Sequence, residues 1–82
     1  MKEVLKFSAS WCGPCQALSM TLKSMGDLPC AVREVDIDDN LDMAAQYNIR
    51  SVPTLVMLEN GSEVKRVTGS LPAAKVKEFL NG

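Results

Sequence analysis

The stretch Phe7-Ser8-Ala9-Ser10-Trp11-Cys12-Gly13-Pro14-Cys15-Gln16-Ala17-Leu18 decides the fold, because it sets a paired-cysteine motif between a strand pattern and a helix pattern. Upstream, Val4, Leu5 and Phe7 form a short apolar run, and Glu3 to Ser8 reads as a strand. Downstream, Cys15, Leu18, Leu22 and Met25 recur at helical spacing and predict a helix from Cys15 to Met25. Gln16, Ser19 and Lys23 lie off that apolar stripe. Gly26-Asp27 ends the helix, and Pro29 prevents its resumption.

Working outward, Ala31 to Ile37 predicts a second strand, with Val35 and Ile37 on one face and Glu34 and Asp36 on the other. Asn40 suits the N-cap of a short helix running to Tyr47. Thr54 to Leu58 is almost continuously apolar, as expected of a strand buried on both faces. Asn60-Gly61 is a hairpin turn signal, which makes Glu63 to Val67 the return strand. A last helix begins near Pro72 and turns Ala73, Val76, Phe79 and Leu80 inward. The order β-α-β-α-β-β-α predicts an α/β fold. Its first two strands are parallel across a helical crossover and its last two are an antiparallel hairpin.

Composition narrows the function. The chain has 82 residues, 46% hydrophobic and 23% charged, which is ordinary globular composition for a single small domain spanning residues 1–82. Nine Lys+Arg against ten Asp+Glu leave a net charge of -1, which provides no electrostatic footprint for nucleic acid or an anionic membrane. Glu3 and Lys6 interrupt what would be the apolar stretch of an export signal, and no apolar run approaches bilayer length. The expected location is the cytoplasm. The chain contains no His, which excludes Ser-His-Asp and Cys-His catalytic sites and an imidazole base.

Cys12, Cys15 and Cys30 are the only cysteines, and an odd count argues against a closed disulfide framework. Cys12-Gly13-Pro14-Cys15 has two chemical readings. As half of a zinc site it lacks ligands, since a fourth would have to be a carboxylate. As a redox dithiol it needs a strand before it and a helix after it, and both patterns are there. Thiol–disulfide exchange requires one thiolate to attack and a second thiol to resolve the mixed disulfide. Cys12 precedes the first helical turn, where free N–H groups and the helix dipole favour a thiolate, below the free value of about 8.5. Cys15 falls on the buried stripe and is expected to be the less exposed of the two and to act second. Cys30 reads as a small apolar residue at a strand entry. The acidic cluster Asp36, Asp38, Asp39 and Asp42 lacks the Gly and closing Glu of a calcium loop and reads as a solvated strand end. No metal and no cofactor other than the cysteine pair is expected.

Trp11-Cys12-Gly13-Pro14-Cys15, followed by Ser51-Val52-Pro53-Thr54, Asn60-Gly61, Gly69 and Lys77-Glu78-Phe79-Leu80, resembles the thioredoxin family over essentially the whole chain. The resemblance implies a minimal thioredoxin fold, with a four-stranded mixed sheet flanked by helices. It implies a thiol–disulfide oxidoreductase that reduces protein disulfides through Cys12 and Cys15. Expected partners are disulfide-containing client proteins and, as electron donor, a thioredoxin reductase or glutathione. The chain is expected to act as a monomer. A glutaredoxin-like enzyme recharged by glutathione is the alternative, although the usual Cys-Pro-Tyr-Cys is absent. A non-catalytic accessory subunit of the same fold is the other.

By resemblance, Trp11 is a partly exposed platform beside Cys12, and Gly13, Pro14, Val52, Pro53 and Gly69 border the client. Pro53 abuts a buried strand, where proline is usually unwelcome, and a cis Val52–Pro53 bond would account for it. The resemblance places this loop facing the cysteines, leaving the Val52 backbone free to pair with an extended client segment.

The chain also departs from the family. It starts at the strand before the motif, without the usual preceding strand and helix. Met20 stands where the family has a kink-forming Pro, and Gln16 where it commonly has Lys. Lys6 replaces a buried Asp, and Glu34 replaces a Lys on the neighbouring strand. Lys6 points away from Leu5 and Phe7, and Glu34 away from Val35, so adjacent strands would bring the two charges together beneath the helix. A buried unpaired charge is costly, which favours keeping both. The expectation is that Glu34 accepts the Cys15 proton while Lys6 holds Glu34 and favours the thiolate.

Overall fold

The computed structural model describes residues Met1–Gly82, and its elements run β1 Lys2–Ser8, α1 Gly13–Ser24, β2 Ala31–Asp36, α2 Leu41–Gln46, β3 Thr54–Glu59, β4 Ser62–Thr68 and α3 Ala73–Asn81. The strands form one four-stranded sheet in the order β2-β1-β3-β4. β1 and β2 are parallel, while β1/β3 and β3/β4 are antiparallel. No helix is long and apolar enough to cross a membrane.

The alternation of β1 divides the core. Val4 packs with Leu55 and Met57 against Leu18 and Leu22 of α1 and Val76 and Leu80 of α3. Leu5 and Phe7 face the other way, with Val35, Val56 and Leu58, and are covered by Met43 of α2 together with Tyr47, Ile49 and Val52. Two helices therefore cover one face and one short helix the other. β3, which like β1 is hydrogen-bonded on both sides, is buried from Thr54 to Leu58.

Several boundaries differ from the sequence reading, each for a local reason. α1 begins at Gly13 rather than Cys15, because Pro14 sits in the first turn, where its missing N–H is not needed. Asn40 precedes α2 but makes no side-chain cap, since its Nδ2 donates instead to the Asp36 carbonyl at 3.0 Å. Ala73 is exposed, and only Val76, Leu80 and, partly, Phe79 of α3 face the core. Asn60 and Gly61 both have positive φ, at 54° and 87°, as the tight hairpin between β3 and β4 requires. A bulge near Met57 and Leu58 lengthens the return strand relative to its partner.

Candidate active site

Cys12 and Cys15 are joined as a disulfide, with Cα atoms 5.2 Å apart. Cys12 is the N-cap of α1, and its sulfur accepts the Cys15 backbone N–H at 3.1 Å. That bond and the helix N-terminus favour negative charge on this sulfur once the pair is reduced. Cys15 is the less exposed of the two, at 2% against 5%, but both are buried and the difference is small. Direction separates them. The Cys12 sulfur lies 3.8 Å from the Val52 carbonyl oxygen in the loop before β3, whereas Cys15 lines a partly open cavity between α1 and the strands β1 and β2.

The Val52–Pro53 bond is cis. The Pro53 carbonyl accepts the Gly69 N–H at 2.8 Å, which ties the segment after β4 to this loop. Gly69 does so with φ at 91°, a conformation that a side chain would strain. Trp11 is 68% exposed, and its Nε1–H donates to Asp38 Oδ2 at 2.9 Å. Trp11 and Val52 line a cavity of about 310 Å³ together with Ile37, Ile49, Arg50 and Ser51. Gly13 and Pro14 are exposed at the start of α1, and a Cβ on Gly13 would meet nothing within 4 Å. Val52 packs against the two cysteines and Trp11, Gly13 and Pro14 adjoin them in sequence, whereas Pro53 is buried and Gly69 is tied to this loop through the Pro53 carbonyl.

On the interior side stands the charge pair. Lys6 and Glu34 are register partners on β1 and β2. Lys6 is 2% exposed and donates from Nζ to Glu34 Oε1 at 3.0 Å and to Ser19 Oγ at 2.6 Å. Ser8 Oγ donates to the same Glu34 oxygen at 3.0 Å. Lys6, Ser8, Ser19, Glu34 and Cys15 line one cavity of about 270 Å³. Sequence reasoning missed both serines. Ser8 lies on the Lys6 face by strand alternation, and Ser19 one helical turn after Cys15, so both carried a signal. Ser19 lies off the apolar stripe because it meets a buried ammonium rather than apolar carbon.

The pair is asymmetric. The Glu34 side chain is 61% exposed against 2% for Lys6. Removing Glu34 leaves a buried cation without its counter-charge, while removing Lys6 leaves a carboxylate that already reaches water. The cost of an unpaired buried charge, which favours keeping both residues, therefore falls mainly on Lys6. Partial desolvation pushes the Glu34 carboxyl up, but the hydrogen bonds from Lys6 and Ser8 and the lysine charge together outweigh it and hold it below the ordinary carboxylate value. A depressed carboxyl contributes stability that is present above its unfolded value of about 4.3 and lost as pH falls through the folded value. The exposure of Glu34 keeps this contribution below about 1 kcal/mol. The urea midpoint should therefore fall on acidification below pH ~4, and fall less in Glu34→Gln; equal falls in both proteins would contradict the shift.

Cys30 is half-buried against the core under α1 and α3. Burial pushes its thiol up, with Lys2 and Lys65 pulling partly back, so it is a poor thiolate. The acidic cluster is organised internally, with the Asp38 N–H donating to Asp36 Oδ1 at 2.9 Å. No group of three or more Cys, Asp or Glu side chains is placed to hold a metal ion.

Comparison with known proteins agrees with this geometry. The family model for thioredoxin matches residues 1–82. Thioredoxin from Mycoplasma genitalium is 40% identical over 80 residues, covering 95% of this chain and 78% of the relative. Thioredoxin from Haemophilus influenzae is 33% identical over 81 residues, covering 95% and 76%. Among solved structures, a mutant thioredoxin from Halobacterium salinarum superposes with a TM-score of 0.89 at 33% identity, over 98% of this chain and 72% of that one. Fasciola hepatica thioredoxin gives 0.88 at 32% identity, over 98% and 78%. With a disulfide at the head of α1, a cis-proline loop against it and these relatives along its full length, the chain belongs to the thioredoxin family and is a thiol–disulfide oxidoreductase.

Proposed function

We propose that the protein reduces disulfides in client proteins and is recharged by a thioredoxin reductase. The observation that carries this reading is the position of the Cys12 sulfur. It accepts the Cys15 N–H and lies 3.8 Å from the carbonyl of Val52, a residue that with Trp11 lines a surface cavity. An extended client segment lies along Trp11, Val52 and Gly69 and pairs with the Val52 backbone, whose N–H has no partner among the loop hydrogen bonds. Gly13 and Pro14 leave the approach to Cys12 open. The Cys12 thiolate attacks one client sulfur and the other leaves as a thiol after taking up a proton. Cys15 then attacks Cys12, releasing the second client sulfur and closing the Cys12–Cys15 disulfide.

Cys15 must lose a proton to resolve the intermediate. Glu34, oriented by Lys6 and Ser8 at the cavity that Cys15 lines, accepts that proton and passes it to solvent. The depressed Glu34 carboxyl makes it a weak base, so its part is brief acceptance beside water rather than storage. The protein acts as a cytoplasmic monomer; the single half-buried free thiol suits a reducing compartment.

Disulfide reduction driven by NADPH and a thioredoxin reductase should turn over, and the parallel assay with glutathione and its reductase should be much slower. Faster turnover with glutathione would make the protein glutaredoxin-like in its recharging. In single-turnover experiments, Glu34→Gln should slow resolution of the mixed disulfide more than the first attack. Equal rates for both steps in this variant and the parent would remove Glu34 from proton transfer.

A further inference from the structure

Lys6 is the only charged side chain the fold buries. Burying a cation costs several kcal/mol unless it is paired. Its Nζ has three donors, and two are committed within the chain, to Ser19 and Glu34. Ser19 stands one turn after Cys15 on the same face of α1, so their Cβ atoms are about 5–6 Å apart. An ammonium bonded to Ser19 Oγ therefore lies about one helical turn beneath Cys15, and both side chains line the same small cavity.

The charges around the pair do not cancel there. β1 contributes Lys6 and β2 contributes Glu34 and Asp36; from α1 this cavity is lined by the uncharged Cys15, Gln16 and Ser19, while Lys23, farther along α1, lines a second cavity with Lys6, Ser19 and Glu34 on the side away from the cysteines. Beyond it, Asp38 is bonded to Trp11, and Arg50 lines the cavity on the other side of the disulfide. Glu34 is 61% exposed, so water and salt screen its field. Lys6 is buried, so its field on the neighbouring sulfurs is screened far less.

The disulfide carries no charge, whereas the reduced pair carries one when its first thiol ionises. A positive field acts only on the second state. We infer that the buried Lys6 ammonium stabilises the thiolate of the reduced Cys12–Cys15 pair, raising the reduction potential of the couple and lowering the pH at which its first thiol ionises. The half-reaction is disulfide plus two electrons plus one proton, giving one thiolate and one thiol. Against glutathione, two glutathione thiols supply the electrons and become glutathione disulfide. The inference rests on Cys12–Cys15 being the redox couple.

The test uses the whole chain, Lys6→Met and Glu34→Gln. Two quantities are read: the pH titration of thiolate absorbance in the reduced protein, and the equilibrium with defined ratios of glutathione and its disulfide. Lys6→Met should move the thiolate titration up by about one pH unit and lower the reduced-to-oxidised ratio about ten-fold, which is a fall of about 30 mV for two electrons. Glu34→Gln, which leaves the cation without its counter-charge, should move both quantities the opposite way. A packing defect would push both variants in the same direction, and that result overturns the inference, as does a Lys6→Met protein with both quantities unchanged. Exchange by the unaltered chain is measured first. If its Cys12–Cys15 pair does not equilibrate with glutathione at all, the redox reading itself fails, and the inference with it.

Discussion

Cys12→Ser should abolish disulfide reduction, while Cys15→Ser should abolish turnover yet accumulate a covalent complex between Cys12 and the client. The two outcomes follow from where each sulfur faces. Cys12 caps α1, receives the Cys15 N–H and lies beside the carbonyl of Val52 in the loop before β3. Cys15 is 2% exposed and faces the cavity with Lys6 and Glu34. A client disulfide therefore meets Cys12 first. Serine at position 12 removes the sulfur beside the Val52 loop, and Cys15, which faces the other cavity, does not replace it. Serine at position 15 leaves the first attack intact but removes the thiol that resolves the intermediate. Mass spectrometry of the protein mixed with an oxidised client reads both. A client adduct on Cys15 in the Cys12→Ser protein, with none on Cys12 in the Cys15→Ser protein, would reverse the assignment.

Phe7→Ala should cost about 3–5 kcal/mol, the usual price of removing a buried aromatic side chain. The chain is small, and at roughly 0.05–0.15 kcal/mol per residue its whole stability is about 4–12 kcal/mol. Phe7 is fully buried and packs on Tyr47 with ring centroids 5.7 Å apart. The consequence reaches the site, because this face of the sheet is covered by α2 and the segment after it. Tyr47, Ile49 and Val52 all pack on the cluster that contains Phe7. Loss of the ring loosens the floor beneath the Val52 loop, so the rate of client reduction should fall even where the variant is still folded. Phe7→Leu keeps most of the apolar volume and should keep most of both stability and rate. Urea unfolding followed by tryptophan fluorescence measures the first effect, since Trp11 is the only tryptophan. A Phe7→Ala loss under about 1 kcal/mol would show that the cavity collapses and that Phe7 does not hold this face.

Most of the fold was legible because its signals are local. The helix stripe Cys15, Leu18, Leu22, the apolar run of β3 and the Asn60-Gly61 turn each sit within a few residues and obey one period. Helix ends were less legible, since they depend on competition among partners: Asn40 had the composition of a cap but gave its side chain to the Asp36 carbonyl. The sequence by itself determined the element order, the dithiol at a strand–helix junction, the exclusion of imidazole chemistry and the opposed charges of Lys6 and Glu34. Tertiary structure alone decided how those charges are used. Strand alternation already put Lys6 and Glu34 on facing positions, but only the folded sheet buries Lys6 and leaves Glu34 at the surface, and only the packing of α1 onto it sets Ser19 over the ammonium and Cys15 at the same cavity. The same holds for the two sulfurs, which are almost equally buried and separated by direction. Burial and direction at a site are set by residues far apart in the chain, and no local period records them.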